Sequence, residues 1–282
     1  GGVGSLIDKE CKKIPFPRLD LQTAITVIGR TQAVTRTAPG SIKESISKLD
    51  LRRCNLQRIE FGEGDFSYVS FFGCALDGAN FSSCNLKYSN LEQTSSNASW
   101  FHKANCHGMQ ISESQIVGAI FTGANLTEAG FSGTNAFGTF FISASATGAD
   151  FYGADMQFSK LWKAKFDDSH FINTNLTGAK LIDVNCAGAY FRKCKITNST
   201  KVNDASFKGA LFLTQDFTNS SISPAQAREA FGDDSVYFRS ELQAPEHWPK
   251  QMLLKEDAEK EWRKWRADPD GYTPPDPPDT AG

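Results

Sequence analysis

The sequence predicts a solenoid, a chain that turns back on itself at short intervals so that its apolar side chains face a common axis. The first observation is a five-residue period: one position in five from Leu51 to Ile196 gives thirty positions, of which only Ser96 is polar. The second is that none of the eleven prolines lies between Gly40 and Ser223, as a continuous hydrogen-bonded ladder requires. The third is a glycine that recurs two residues after the apolar centre, where a turn favours a permissive residue.

A period of five matches neither a helix, whose faces recur at three and four, nor a strand, whose faces recur at two. A small residue stands two positions before most apolar centres, often followed by Asn or Asp, as in Ala79-Asn80-Phe81 and Ala154-Asp155-Met156. These units resemble the pentapeptide-repeat family, whose units read Ala-Asp/Asn-Leu-X-X, over about 170 of the 282 residues. The resemblance implies an all-β solenoid over residues 49–222: a right-handed, quadrilateral β-helix with four units per coil and about nine coils.

Residues 1–48 are predicted to form an N-terminal segment and cap. The run from Leu21 to Ile28 places apolar side chains on one helical face, and residues 32–37 alternate like a short strand. Because an uncovered β-helix end exposes edges for aggregation, we expect this cap to dock on the first coil. The opening glycine pair without a Met is typical of an expression remnant, so we expect a missing upstream segment.

The chain after the repeats is predicted to form a helical C-terminal cap over residues 223–267. Ser223-Pro224 is a good helix start, which predicts a short helix from Ala225 to Phe231. A second helix is predicted from about Lys250 to Arg266, with two tryptophans on its apolar face. Residues 268–282 hold five of the eleven prolines, which predicts an extended, disordered tail.

Composition and motifs argue against several classes of function. A formal charge of −2 and 40% hydrophobic residues describe a globular protein, and no apolar run reaches the roughly 18 residues of a membrane span. Seven cysteines, mostly at inward positions, favour a reducing, cytoplasmic compartment. The four histidines are scattered, and no phosphate loop, nucleophile elbow or metal-ligand spacing is present. We therefore expect no enzyme activity, no catalytic residues, no cofactor and no metal.

One wall of the predicted β-helix breaks the rule that outward residues are polar. This candidate interaction strip comprises Trp100, Ile120, Phe140, Ile142, Trp162 and Ile182. Exposed apolar patches of this kind mark contact surfaces. Three occupants are open: the C-terminal segment of the same chain, a second copy in a homodimer, or a different protein partner.

A candidate basic patch follows the strip along the chain. It comprises Lys160, Lys163, Lys165, Lys180, Arg192, Lys193 and Lys195. Such a patch suits anionic lipid, an acidic partner or the chain's own C-terminal part, which holds 8 basic and 13 acidic residues. The chain has no overall positive charge, which argues against nucleic-acid binding.

These features predict a non-enzymatic protein–protein interaction scaffold that self-associates or binds an unidentified partner. The family resemblance implies an alternative, a DNA mimic that binds DNA gyrase and protects it from quinolones. Residues 49–222 carry 14 basic and 15 acidic groups, so the strong negative field that a mimic requires is absent. A further alternative is the recognition module of a larger bacterial effector or of a protein tethered to a membrane through an upstream segment.

Overall fold

The computed structural model describes residues 22–26, 28 and 51–277, and one winding pattern runs through most of the last range. Parallel β-bridges recur every five residues, and each joins a residue to the one twenty positions further on, as in Asn55 with Ala75 and Glu60 with Asn80. Four bridges therefore fall within each twenty residues. The chain forms stacked coils with four sides, and each side contributes one apolar centre to the interior.

Almost every backbone amide of a repeat unit has a defined acceptor. In the unit that begins at Leu76, the amides of Leu76 and Gly78 donate to the following coil, that of Ala79 donates to Leu76, and that of Asn80 donates to the preceding coil, at 2.6–2.9 Å. The amide two residues after Asn80 donates to the Asn80 side-chain oxygen at 2.9 Å. This Asx turn explains the preference for Asn or Asp before the apolar centre. Proline is excluded from these units because it has no backbone N–H, and almost every amide of a unit donates a hydrogen bond.

Each unit turns at a residue in the left-handed conformation, two positions after the apolar centre. The φ angle is +66° at Gly118 and +65° at Gly138, as the spacing of the glycines predicts. Other residues take the same conformation, with φ of +58° at Glu128 and +55° at Phe158, although this costs a non-glycine residue about 1–2 kcal/mol. The coil-to-coil ladder therefore imposes the turn even where the residue does not favour it.

Two opposite sides of the coil carry columns of stacked phenylalanine rings in the interior. On the side that we call the strip face, the rings of Phe81, Phe101 and Phe121 are separated by centroid distances of 5.2 and 4.5 Å. On the opposite side, which we call the covered face, Phe151 and Phe171 lie 5.1 Å apart with planes 4° from parallel. All these rings are buried. Repeated stacking and burial of large rings make the interior the main source of stability.

The single polar centre, Ser96, is fully buried but hydrogen-bonded. Its hydroxyl lies 3.0 Å from that of Thr94, which donates to the carbonyl of Leu91 at 2.8 Å. The hydroxyl of Ser114 donates to the same carbonyl, also at 2.8 Å. Burying a hydroxyl is tolerated when it has such partners, so Ser96 interrupts the apolar pattern without leaving an unpaired group.

One inserted residue after Ile196 changes the bridge spacing, but the apolar centres that follow it still point into the core. Bridges shift from a separation of twenty, as in Asn175 with Lys195, to twenty-one, as in Lys180 with Lys201. Thr200 lies fully buried within the insertion, and its hydroxyl donates to the carbonyl of Leu176 at 2.7 Å. This side-chain hydrogen bond stabilises the backbone at the insertion.

A helical stretch at residues 22–26 packs on the first coil. Ile25 is fully buried and belongs to the same apolar cluster as the repeat interior. The side-chain amide of Gln22 bonds both backbone groups of Glu60, accepting from its amide at 2.8 Å and donating to its carbonyl. Gln22 thus satisfies part of the exposed edge of the first coil. The rest of the predicted cap, including the strand at 32–37, lies outside the described residues.

Three short strands on the covered face form a parallel sheet in the order β1-β2-β3. They are β1 (His170–Ile172), β2 (Tyr190–Arg192) and β3 (Leu211–Leu213), with Phe171, Phe191 and Phe212 in register. Their central residues point into the core, and the flanking residues lie on the outside of the coil. In β3 all three residues are buried, which shows that another element covers this part of the face.

A short helix, α1 (Pro224–Arg228), follows the last repeat and begins with a capping box formed by Ser223 and Gln226. The side-chain amide of Gln226 donates to the carbonyls of Val202 and Ala205, at 2.7 and 2.9 Å. The predicted extension of this helix to Phe231 is wrong. Phe231 instead pairs with Leu211 in the β-ladder, because the final coil offers its backbone a regular set of partners.

The covering element is α2 (Lys255–Ala267), which packs against β3. The indole nitrogen of Trp262 donates to the carbonyl of Gly209 at 2.8 Å, and the ring of Trp265 lies 5.6 Å from that of Phe231. The guanidinium of Arg266 contacts the Asp168 carboxylate at 2.9 Å. The start of α2 at Lys255 is later than predicted, since the preceding backbone is held by Asp233, whose carboxylate accepts from the Leu253 amide.

Within the described residues, no helix is long and apolar enough to span a bilayer.

The segment from 268 to 277 is ordered against the helix, so the prediction of a disordered tail is wrong for these residues. The ring of Tyr272 lies 5.7 Å from that of Phe231, and its hydroxyl donates to Glu261 at 3.2 Å. The side chain of Gln251 donates to the carbonyl of Asp276 at 3.1 Å. An aromatic residue within a proline-rich stretch therefore fixes the chain through burial, a contribution that composition alone does not reveal.

Candidate functional site: an apolar strip

The six residues of the predicted strip lie in two adjacent columns on the strip face. Trp100, Ile120 and Phe140 are joined by successive β-bridges, so their outward side chains stand one above another at about the 4.8 Å spacing of paired strands. Ile142 and Trp162 belong to the second column, where the amide after Ile142 donates to the Trp162 carbonyl at 2.8 Å. Ile182 continues this column. Sequence periodicity therefore places all six residues on one side of the coil.

The strip retains exposed apolar surface among the described residues. Trp100 is 51% exposed and Trp162 is 36% exposed. The remaining members are half-buried; they are Ile120, Phe140, Ile142 and Ile182. Their backbone is fixed by the ladder on both sides, so the surface is preformed and rigid. A preformed apolar surface loses little conformational entropy on binding.

Of the three occupants left open for the strip, the described part of the C-terminal segment is not the one that covers it. The helix α2 and the segment after it contact the covered face, through Tyr190, Leu211 and Phe231. That face lies on the opposite side of the four-sided coil. Both faces carry outward apolar residues, but among the described residues α2 and the segment after it pack on the covered face.

Lysines continue the first column of the strip towards the C-terminal end of the β-helix. Phe140 bridges Lys160, which bridges Lys180, which bridges Lys201. The ammonium of Lys160 lies 4.3 Å from the centroid of the Phe140 ring, and that of Lys180 lies 5.7 Å from the Trp162 ring. These distances are within the range of cation–π attraction. The strip face thus has an apolar centre and a basic end.

The predicted basic patch does not form one surface. Lys160 and Lys180 lie on the strip face, Lys165 on the next side, Lys195 on the side opposite to that, and Arg192 in β2 on the covered face. The remaining two, Lys163 and Lys193, are corner residues with φ of +58° and +53°. Residues five apart in sequence fall on successive sides of the coil, so clustering along the chain distributes these charges around the β-helix.

Two of the histidines, His107 and His247, lie in different parts of the fold. Among the described residues, no group of three or more potential metal ligands comes together. His107 accepts or donates a hydrogen bond with the Tyr88 hydroxyl at 3.0 Å. His247 bonds the carbonyl of Ala230 at 2.8 Å and stacks on Trp265 at 5.0 Å. Burial lowers the pKa of His247, while the bond to Ala230 acts in the opposite direction, so the neutral imidazole is favoured.

The described cysteines act as small core residues. The thiol of Cys84 donates to the carbonyl of Gly62 and that of Cys194 to the carbonyl of Phe171, at 2.6 and 2.9 Å. Burial raises the pKa of both thiols to about 12 and raises the pKa of Cys106 as well. A nucleophilic cysteine requires a lowered pKa and access to solvent, and these groups have neither.

Two exposed aromatic pairs were missed by the sequence reasoning. The rings of Tyr68 and Tyr88 lie 5.3 Å apart, and those of Phe137 and Phe158 lie 5.4 Å apart. The signal was available, since each residue stands one or two positions after an apolar centre, where the pattern predicts a polar residue or glycine. Each pair spans only two coils, so neither forms a surface as tall as the strip.

Comparison with protein families identifies the repeats. A family model described as a pentapeptide repeat region matches residues 45–121, and one described as pentapeptide repeats (8 copies) matches four overlapping stretches between residues 104 and 198. Together the matches span more than half of the chain. A search of curated protein sequences found no match.

Among solved structures, the chain is similar to HetL, a pentapeptide repeat protein involved in heterocyst differentiation regulation from the cyanobacterium Nostoc sp. The two are 19% identical with a TM-score of 0.35, and the alignment covers 58% of this chain and 84% of HetL. It is also similar to QnrB1, a plasmid-mediated fluoroquinolone resistance protein, with 15% identity, a TM-score of 0.35 and coverage of 70% and 88%. A third is a pentapeptide repeat protein of the Arabidopsis thaliana thylakoid lumen, with 25% identity, a TM-score of 0.22 and coverage of 33% and 61%.

Proposed function

The chain belongs to the pentapeptide-repeat family, and we propose that it is a non-enzymatic scaffold that binds another protein through the strip face. The observation that carries the proposal is the strip itself: Trp100 remains 51% exposed while the chain's own C-terminal helix lies on the opposite side. Rigid repeat proteins commonly bind partners through an extended surface of this kind. The β-helix of about nine right-handed coils supplies the rigidity, and the strip supplies the contact.

The chemistry of the strip favours a protein ligand. Tryptophan and phenylalanine are enriched at the centres of protein interfaces, where they bury large apolar areas. In the strip they are flanked by Lys160 and Lys180, whose ammonium groups lie over the aromatic rings. An apolar centre with a charged margin is the usual anatomy of an interface.

The buried thiols of Cys84 and Cys106 form no disulfide bond, which supports a reducing, cytoplasmic compartment.

The alternative function, a DNA mimic that binds gyrase, has less support. A mimic needs a dense acidic surface, whereas three lysines follow one another along the strip face and residues 49–222 carry 14 basic and 15 acidic groups. Protection of gyrase supercoiling from a quinolone by saturating protein would favour the mimic over the scaffold.

The proposal is tested by capturing proteins from cells that make this chain, with tagged wild-type protein and two variants as baits. Trp100→Glu places a charge in the strip, and Tyr152→Glu makes a matched change on the covered face, because both side chains are 51% exposed. We expect wild type and Tyr152→Glu to retain at least one protein that Trp100→Glu does not retain. An untagged copy of this chain counts as such a protein. Equal capture by all three baits would contradict the proposal.

A further inference from the structure

We propose that the strip face binds a second copy of this chain in an antiparallel arrangement, so that the protein forms a face-to-face dimer. The inference rests on the proposed function of the strip and specifies its partner. Its basis is the order of residues along the first column of the strip face, which runs through eight coils by successive β-bridges. The column reads Glu60, Asn80, Trp100, Ile120, Phe140, Lys160, Lys180 and Lys201.

This column is complementary to itself when reversed. A two-fold axis in the plane of the interface, perpendicular to the β-helix and between Ile120 and Phe140, pairs each residue with the one equally far from the axis on the other copy. Ile120 then meets the partner's Phe140, which forms an apolar centre. Both side chains are half-buried in the single chain, so the pairing removes their remaining surface from water.

The next pair outwards is aromatic and cationic. Trp100, which is 51% exposed, meets the partner's Lys160. The ammonium of the same lysine already lies 4.3 Å from the Phe140 ring of its own chain, so it is positioned next to the aromatic surface. Tryptophan gives the strongest cation–π contact of the aromatic side chains, and the attraction increases when water is removed.

The two outer pairs are polar, and the outermost one joins opposite charges. Asn80 meets the partner's Lys180, and Glu60 meets the partner's Lys201. Glu60 and Lys201 are exposed at the two ends of the column. The Glu60 carboxylate accepts from the Asn80 side-chain amide at 2.6 Å, which holds it on the strip face. Charge pairs at the margin of an interface set orientation and register more than affinity.

A parallel dimer through the same face is electrostatically disfavoured. With the two-fold axis along the β-helix, each residue lies at the same height as its own copy. The three lysines of one chain would then stand beside the same three lysines of the other, and Glu60 beside Glu60. Like charges placed together across an interface cost free energy, so the charge order selects the antiparallel arrangement.

The size of the strip predicts a weak dimer. Seven spacings of about 4.8 Å give a length of about 34 Å, and three extended residues give a width of about 10 Å. The resulting area, on the order of 340 Å² per copy, is below the roughly 800 Å² per partner of a standard stable interface. We therefore expect a dissociation constant in the micromolar range and a dimer that depends on protein concentration.

Sedimentation velocity between about 5 and 500 µM tests the inference, a range that brackets micromolar affinities. We expect wild type to pass from monomer to dimer across it. Lys201→Glu and Glu60→Lys each place two like-charged pairs in the dimer and are expected to weaken association about tenfold or more. The double variant restores two opposite-charge pairs and is expected to recover most of the affinity. Lys195→Glu, a charge reversal on another side of the coil, is the matched control and should dimerise as wild type does.

Thermal melts of each variant establish that it is folded, and three outcomes would overturn the inference. Wild type that remains a monomer throughout excludes the dimer. If the double variant associates no more tightly than the single variants, the antiparallel register is excluded. If Lys195→Glu weakens association as much as Lys201→Glu does, the strip face is excluded as the contact. If wild type remains monomeric while strip-dependent capture of a different protein persists, the second copy is excluded and the scaffold function stands.

Discussion

The rings of Phe101 and Phe121 lie face to face in the core, with centroids 4.5 Å apart and planes 3° from parallel. Phe141 continues the stack at 5.4 Å from Phe121, so Phe121 contacts an aromatic ring on both sides. The column makes each coil depend on its neighbours. Removing one ring leaves a cavity that regular backbone bonds prevent from closing.

We expect Phe121→Ala to lower the free energy of unfolding by about 3–5 kcal/mol, the usual cost of truncating a buried phenylalanine. Reversible urea denaturation gives the value. Phe158→Ala is the control, since Phe158 is 52% exposed and its truncation is expected to cost less than about 1 kcal/mol. An effect of Phe121→Ala as small as that of the control would mean that the column is not the core.

Alanine substitutions at two corners should separate backbone strain from side-chain contact. Gly118 and Gly108 have nearly the same φ, +66° and +65°, but a Cβ at Gly118 meets no atom within 4 Å whereas one at Gly108 overlaps the Tyr88 ring. We expect Gly118→Ala to cost about 1–2 kcal/mol. Gly108→Ala should cost more, because the ring must leave its bond with His107. Equal shifts of the melting temperature would contradict this account.

The buried thiols should not react while the protein is folded. Burial raises the pKa of Cys84 and Cys194 to about 12, so at pH 8 almost no thiolate is present, and solvent cannot reach the sulfur. Iodoacetamide followed by peptide mass spectrometry is expected to leave both residues unmodified in native buffer and to alkylate them fully in urea. Native alkylation at the rate of a free thiol would show that the coils around these residues open.

The C-terminal packing should weaken in mild acid. Burial lowers the pKa of His247 below its ordinary value, so the folded protein favours the neutral ring more than the unfolded chain does. The stabilisation is present above the unfolded pKa of about 6.5 and is lost as the pH falls through the lower folded pKa. Hydrogen exchange at α2, which contacts His247 through Trp265, should therefore be faster at pH 5.5 than at pH 7.5 after correction for intrinsic rates. His247→Gln should reduce this pH dependence, and an unchanged pH dependence in that variant would contradict the prediction.

The repeat itself was predictable because its determinants are local. The apolar centres, the glycine turns and the absence of proline each follow from one unit of five residues. The helix boundaries after the repeats were less predictable, since Phe231 joins the β-ladder through contacts with Leu211, which lies a full coil away in the sequence.

The occupant of each apolar surface was not predictable from periodicity. Tyr190 and Leu211 on the covered face stand at the same position of the repeat unit as Trp100 and Ile120 on the strip face, and the sequence signal is the same in both places. Only the path of the chain after the last coil decides which surface α2 reaches. The same reasoning applies to the basic residues, which are close in sequence but are distributed over four sides.

Photo-crosslinking from within the strip is the most direct measurement of the central claim, that the strip face binds a protein. p-Benzoylphenylalanine in place of Phe140 puts the probe in the strip, where the side chain is half-buried, and the same residue in place of Tyr152 puts it at an exposed position on the covered face. After irradiation in cells that make the protein, we expect a discrete protein adduct from position 140, either a dimer of this chain or a complex with another protein, and none from position 152. Absence of an adduct from position 140, or the same adducts from both positions, would contradict the claim.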